Sequence, residues 1–152
     1  MNFEAFLTNK EPDFKGRFLH DILCFSDEDI EHTHDFIQLL FPLDVQSNNA
    51  FHGYYLDTDK SVRDIRSNDL AQKNIIKSSK WFLDFLERDD SWLRWHDHNY
   101  LRITRIIKSL GLLVSVDEAN IFYNLLLELI DDDRKEKINP VTLKFWKEAV
   151  KV

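Results

Sequence analysis

Only three glycines and three prolines occur among the 152 residues of this chain, and that scarcity narrows the folds open to it more than any other feature. A sandwich or barrel of short strands turns roughly every 8–12 residues, and such turns draw on Gly and Pro for backbone angles other residues resist. Helices are therefore favoured before any periodicity is read. The chain also carries what a helical core needs: 43% hydrophobic residues, with 12 Phe and 4 Trp, beside 31% charged residues for solvated faces. The expectation is an all-α fold, a single compact domain over residues 1–152 with about six to seven helices.

Apolar spacing and end signals locate those helices. Phe3 to Leu7 reads as a short helix laying Phe3, Phe6 and Leu7 on the core, and Arg17 to Phe25 as one or two turns that also pack Cys24. Ser26 with Asp29 forms a capping box, opening a helix that runs to Pro42. Residues 43–57 have no sustained period and read as a loop, with Phe51, Tyr54, Tyr55 and Leu56 tucked onto the core. A short helix begins at Thr58 and ends near Arg66. A longer one follows from Asp69 to Arg88, apolar at Ala71, Ile75, Phe82 and Leu86, with Lys73, Lys77 and Lys80 on a polar stripe. Another spans His98 to Leu110 and stops at Gly111. A second capping box, Ser115 with Glu118, opens Val116 to Asp131, which is apolar almost all round and is expected at the centre of the core. Asn139 and Pro140 start a terminal helix carrying Leu143, Trp146 and Val150.

Charge and cysteine usage bear on setting and partners. Cys24 is the single cysteine and cannot pair within the chain, and the first residues lack the basic and apolar regions of a secretory signal. A reducing cytoplasm is the expected location. The most apolar stretch, Ile121 to Ile130, is broken by Asn124 and Glu128 and falls short of the ~20 residues that span a bilayer, so no membrane span is expected. A net charge of −7 argues against wholesale nucleic-acid binding. The charge is uneven, however: residues 1–59 carry 12 acids and 3 bases, while 60–108 carry 11 bases and 7 acids. That basic middle third leaves nucleic-acid contact through Lys73, Lys77 and Lys80 as the weakest of the functional readings.

Two segments resemble a known family. His34-Asp35-Phe36-Ile37-Gln38-Leu39-Leu40-Phe41-Pro42 looks like a His-x-aromatic-Ile-Gln-Trp-Leu-Phe-Pro signature, with Leu39 where the family commonly has Trp. Trp95 to Gly111 is similar to Trp-x-x-His-Asn-x-Leu-Arg-Ile-Thr-Arg-Ile-x-Lys-Ser-Leu-Gly, and is the stronger match. Together they resemble the conserved region of the opioid growth factor receptor family, over about residues 15–130. The resemblance implies a binding or regulatory role, since eukaryotic relatives are described as nuclear-associated receptors for an opioid peptide that restrains growth. It maps no ligand residues. The family's repeat-bearing tail has no counterpart in these residues, which looks like the stand-alone form of a microbe.

The side chains of those segments suggest where a ligand would bind. At 100° per residue, Tyr100, Ile103, Ile106, Ile107 and Leu110 fall on one arc, and His98, Arg102, Arg105 and Ser109 on another. Two guanidiniums and an imidazole on one stripe suit a carboxylate or phosphate. The alternative is that both arginines pair with acids of the N-terminal third. On the first segment, His34 and Gln38 sit at the margin of the core arc, where Glu31 could orient the imidazole, or both could simply hydrogen-bond a neighbouring loop. The candidate ligand-binding residues are therefore His34, Gln38, His98, Asn99, Arg102 and Arg105. His32/His34 and His96/His98 are spaced two apart and point opposite ways on a helix, so no metal and no cofactor are expected. No hydrolase or kinase motif occurs. The reading favours a binding module over an enzyme, its partner an unknown protein, peptide or anionic small molecule and its oligomeric state open.

Overall fold

Six helices of the computed structural model begin where a short polar side chain accepts from an amide three residues on: Asn2, Ser26, Thr58, Ser115, Asp131 and Asn139 are the caps. Each such bond satisfies one of the amides that the first turn of a helix leaves unpaired. The structure describes residues 1–47 and 53–150. Among them every regular element is a helix, ten in all, and none is long and apolar enough to cross a membrane. The residues group into two compact units, Met1–Ser78 and Ser79–Val152.

The first unit opens with α1 (Phe3–Leu7), whose Phe3, Phe6 and Leu7 are buried. Next come α2 (Leu19–Leu23), α3 (Asp27–His32), α4 (Ile37–Leu40) and α5 (Asp59–Arg66). The amide of Asn74, on α6 (Asp69–Arg88), donates to the Leu7 carbonyl at 2.8 Å. α6 matches the expected span, with Ala71, Ile75, Phe82 and Leu86 buried and Lys73, Lys77 and Lys80 exposed. Cys24, expected to pack, is exposed instead, with its Sγ 3.9 Å from His20 Nε2. Of the loop aromatics, Tyr54 and Tyr55 are half-buried and Leu56 is buried, while Phe51 lies outside the described residues.

The single helix expected from Ser26 to Pro42 is two, because the backbone extends at Thr33 (φ −96°, ψ 126°). The cause is tertiary. Asp35 lies in the break and accepts from Arg17 Nη1 at 2.8 Å, and it also pairs with Lys15. Arg17 in turn donates through Nε to Asp13 Oδ2 at 2.7 Å, and Asp13 Oδ1 takes the amides of Lys15 and Arg17 at 2.9 Å each. Gly16 closes this turn at φ 78°, the left-handed region that a side chain resists. Burial would push the Asp35 carboxyl up, but hydrogen bonds and charge from Lys15 and Arg17 hold it below the usual carboxylate range.

In the second unit, α7 (Asn99–Leu113) packs against both α8 (Val116–Glu128) and α10 (Pro140–Ala149), with the single turn α9 (Asp132–Lys135) between the latter two. The central helix of this unit is therefore α7. α8, expected at the centre, buries Ala119, Phe122 and Leu126 but leaves Ile121 47% and Leu125 37% exposed. α7 also runs through Gly111, which is buried within it, and ends at Val114. A glycine stops a helix where the next backbone angle is left-handed; here the helical hydrogen bonds continue to the Val114 amide, which donates to Leu110 O at 2.9 Å. The count exceeds the expected six to seven because one segment is split, the α9 turn was not foreseen, and five of the ten helices are short pieces of four to six residues.

Candidate functional site

The second signature segment is held by an aromatic clasp. Tyr100 lies edge-on to both Trp92 and Trp146, at centroid distances of 6.4 and 5.5 Å. Its hydroxyl donates to Trp92 O at 2.7 Å and accepts the Arg94 amide at 3.1 Å, and burial raises its pKa. The indole of Trp146, fully buried, donates to Tyr100 O at 3.2 Å. Asn139, which caps α10, donates through Nδ2 to Trp95 O at 2.6 Å. Each polar tip of the clasp therefore ends on a backbone group, which fixes the loop ahead of α7 without exposing a buried dipole.

Asp97 stands just ahead of the helix. Its Oδ1 accepts the Asn99 amide at 2.9 Å, and its Oδ2 pairs with Arg94 Nε at 2.9 Å. His98 follows it, half-exposed, with Nδ1 4.0 Å from Asp97 Oδ1. The polar stripe then turns inward: Asn99 is 1% exposed, Arg102 7% and Ser109 0%. Arg102 Nη1 donates to Asn99 Oδ1 at 3.2 Å, so the structure brings these two candidate residues together. Arg105, one turn on, is half-buried, and burial pulls its guanidinium down to about 10.

Tyr100, Ile103, Ile106, Ile107 and Leu110 of the same segment are buried, but two of its apolar residues are not. Trp95 is 54% exposed and Leu101 78%. A guanidinium inside and a leucine outside invert, at these two positions, the distribution that transfer free energies favour, since a charge leaves water at a cost unless it is paired and hydrogen-bonded. Asn99 and Arg102 hold the helix of this segment to the fold, while Leu101 on it and Trp95 ahead of it meet solvent.

The two remaining candidates belong to the first unit. His34 is exposed in the break between α3 and α4, and Gln38 is half-buried on α4. Gln38 Oε1 is itself buried and has no hydrogen-bond partner among the described residues. As a bare acceptor it suits a donor group and would repel a carboxylate or phosphate oxygen. A feature with no signal in the sequence is a cavity of about 670 Å³ at the C-terminal ends of α6 and α8, floored by Trp92. Glu87, Asp89, Asp90, Glu128 and Asp131 line it against Arg88 and Arg134, and none of the six candidates reaches it. Among the described residues no three of His, Cys, Asp and Glu gather as they would around a metal ion.

The family model for the opioid growth factor receptor (OGFr) conserved region matches residues 6–152. Over 101 residues the chain is 38% identical to the opioid growth factor receptor-like protein 1 of Xenopus tropicalis and 35% identical to that of Mus musculus. These alignments cover 55% of this chain but 19% and 21% of the relatives, so it spans about a fifth of their length. No solved structure matches it. With the family model covering nearly the whole sequence and both signature segments inside it, the chain belongs to the opioid growth factor receptor conserved-region family.

Proposed function

We propose that this chain is a binding module that engages a protein or peptide through the exposed residues of its second signature segment, Trp95 and Leu101. One observation carries the reading: the signature's polar residues Asn99 and Arg102 are buried while its Trp and Leu are 54% and 78% exposed. Tryptophan in particular supplies large, rigid contact area and is over-represented where binding energy concentrates. Family membership supports the same coarse role, a receptor-related binding or regulatory module. In this reading Asn99 and Arg102 position the segment and do not touch the ligand. The test is selection of peptides from a displayed library on the immobilised chain. Selected peptides should lose at least tenfold in affinity on Trp95→Ala and Leu101→Arg, with both variants melting at the wild-type temperature. Peptides indifferent to both substitutions would refute the reading.

A second reading is favoured by Arg105. Its half-buried guanidinium, with half-exposed His98 on the same stripe, supports a receptor for an anionic small molecule. Titration with inorganic phosphate and with citrate, followed by amide chemical shifts, tests it; shifts centred on Arg105 that vanish in Arg105→Ala would support it over the first.

A further inference from the structure

We infer that the cavity at the C-terminal ends of α6 and α8 binds a linear aliphatic polyamine, a ligand whose ammonium groups are spread along an apolar stem. The cavity itself carries the inference. At about 670 Å³ it has the size of a small-molecule site, and every residue lining it belongs to the second unit. Its charge is unbalanced, with five carboxylates against two guanidiniums. Three of those carboxylates take no bond from the chain. Asp89 accepts the Ser91 amide and hydroxyl at 2.9 and 3.0 Å, and Asp131 caps α9 through the Arg134 amide at 2.8 Å. Arg134 is itself drawn onto the end of α8, its Nη1 donating to the Leu129 carbonyl at 3.3 Å and its Nε 3.9 Å from Asp131 Oδ2. Glu87, Asp90 and Glu128 make no side-chain hydrogen bond or ion pair among the described residues. Glu87 and Glu128 also stand in the last turns of their helices, where the helix dipole disfavours negative charge, and the last turn of α8 has no basic residue. Carboxylates held around one cavity against that local preference are expected where an outside cation supplies the missing charge.

The spread of the charges selects among cations. Among the described residues no three acidic, histidine or cysteine side chains gather as they would around a metal ion, so one small ion cannot answer them together. They come from two elements, Glu87, Asp89 and Asp90 from the end of α6 and Glu128 and Asp131 from the end of α8. The lining also includes Leu86, Leu129 and Trp92, whose indole is fixed by its bond to the Leu86 carbonyl at 2.9 Å. Separated carboxylates beside apolar surface fit separated ammonium groups on a methylene chain. The site shares no residue with Trp95 or Leu101 and goes beyond the proposed function.

The experiment is isothermal titration of the full chain at low salt with spermidine, n-butylamine, magnesium chloride and trilysine. Spermidine should bind one to one, at least tenfold more tightly than each of the other three, and should shift the indole N–H resonance of Trp92. Glu87→Gln with Glu128→Gln should weaken spermidine at least tenfold, while the melting temperature of the free chain holds or rises because both changes relieve a helix end. Glu11→Gln with Asp44→Asn removes the same charge from exposed positions of the first unit and should leave binding within twofold. No binding of spermidine, or an equal loss in the two double variants, overturns the site, the latter by reducing it to general attraction toward a chain of net charge −7. Magnesium or trilysine binding as tightly as spermidine overturns it as well, the first by making the occupant a metal ion and the second by making it a basic segment of a protein.

Discussion

The side chain of Asn139 joins two parts of the fold at once: Oδ1 accepts the Thr142 amide at 2.8 Å to cap α10, and Nδ2 donates to the Trp95 carbonyl at 2.6 Å across 44 residues of chain. Asn139→Asp keeps the acceptor and loses the donor, while Asn139→Ala loses both. Removing a cap costs about 1 kcal/mol, and losing the side-chain bond to Trp95 about 0.5–1.5 kcal/mol, since the Asn139 backbone amide still donates to that carbonyl at 3.4 Å. Denaturant unfolding should therefore rank wild type above Asp and Asp above Ala. An Asp variant as stable as wild type would mean the Trp95 bond contributes nothing, and equal stability of the two variants would mean the same of the cap.

Asp35 gives the first unit an acid-sensitive joint. Its folded pKa is depressed below the ordinary 3.8, so the stability it contributes is present above that value and is lost as pH falls through the lower folded value. Asp35→Asn should destabilise the chain at neutral pH and flatten the fall in melting temperature in the acid range below about pH 4. A variant whose acid limb matches the wild type would show that Arg17 and Lys15 do not depend on this carboxylate.

Gly16 sits at φ 78° with nothing within 4 Å of where a Cβ would stand. Backbone strain is then the whole effect, and Gly16→Ala should cost roughly 1–2 kcal/mol, with Gly16→Asn costing less. An alanine variant as stable as wild type would remove the left-handed turn from the account.

What the sequence disclosed and what it concealed divides along the range of the interactions. Ser26, Thr58, Ser115 and Asn139 were readable as helix starts because each cap bonds an amide three residues away. The break at Thr33 was not, because it depends on Arg17 reaching Asp35 across 18 residues. Gly111 misled for a related reason: inside a buried helix, packing outweighs the local preference that makes glycine a stop. On α7 the 100° wheel separated an apolar arc from a polar one, yet no wheel states which arcs are covered, and the neighbours of α7 cover both. The exposure of Trp95, Leu101 and Phe145 was equally invisible, since aromatic and leucine residues pack inward far more often than not.

The central claim is that the signature segment is held to the fold through buried Asn99 and Arg102 and presents Trp95 and Leu101 to solvent, and unfolding free energies of two neighbouring variants test it directly. Arg102 is 7% exposed and bonded to Asn99, so Arg102→Ala should lose roughly 1–3 kcal/mol for the abandoned Asn99 oxygen, with the lost packing adding to it. Leu101 is 78% exposed, so Leu101→Ala should fall within about 0.5 kcal/mol of wild type. The reverse order, a severe loss at Leu101 and tolerance at Arg102, would contradict it.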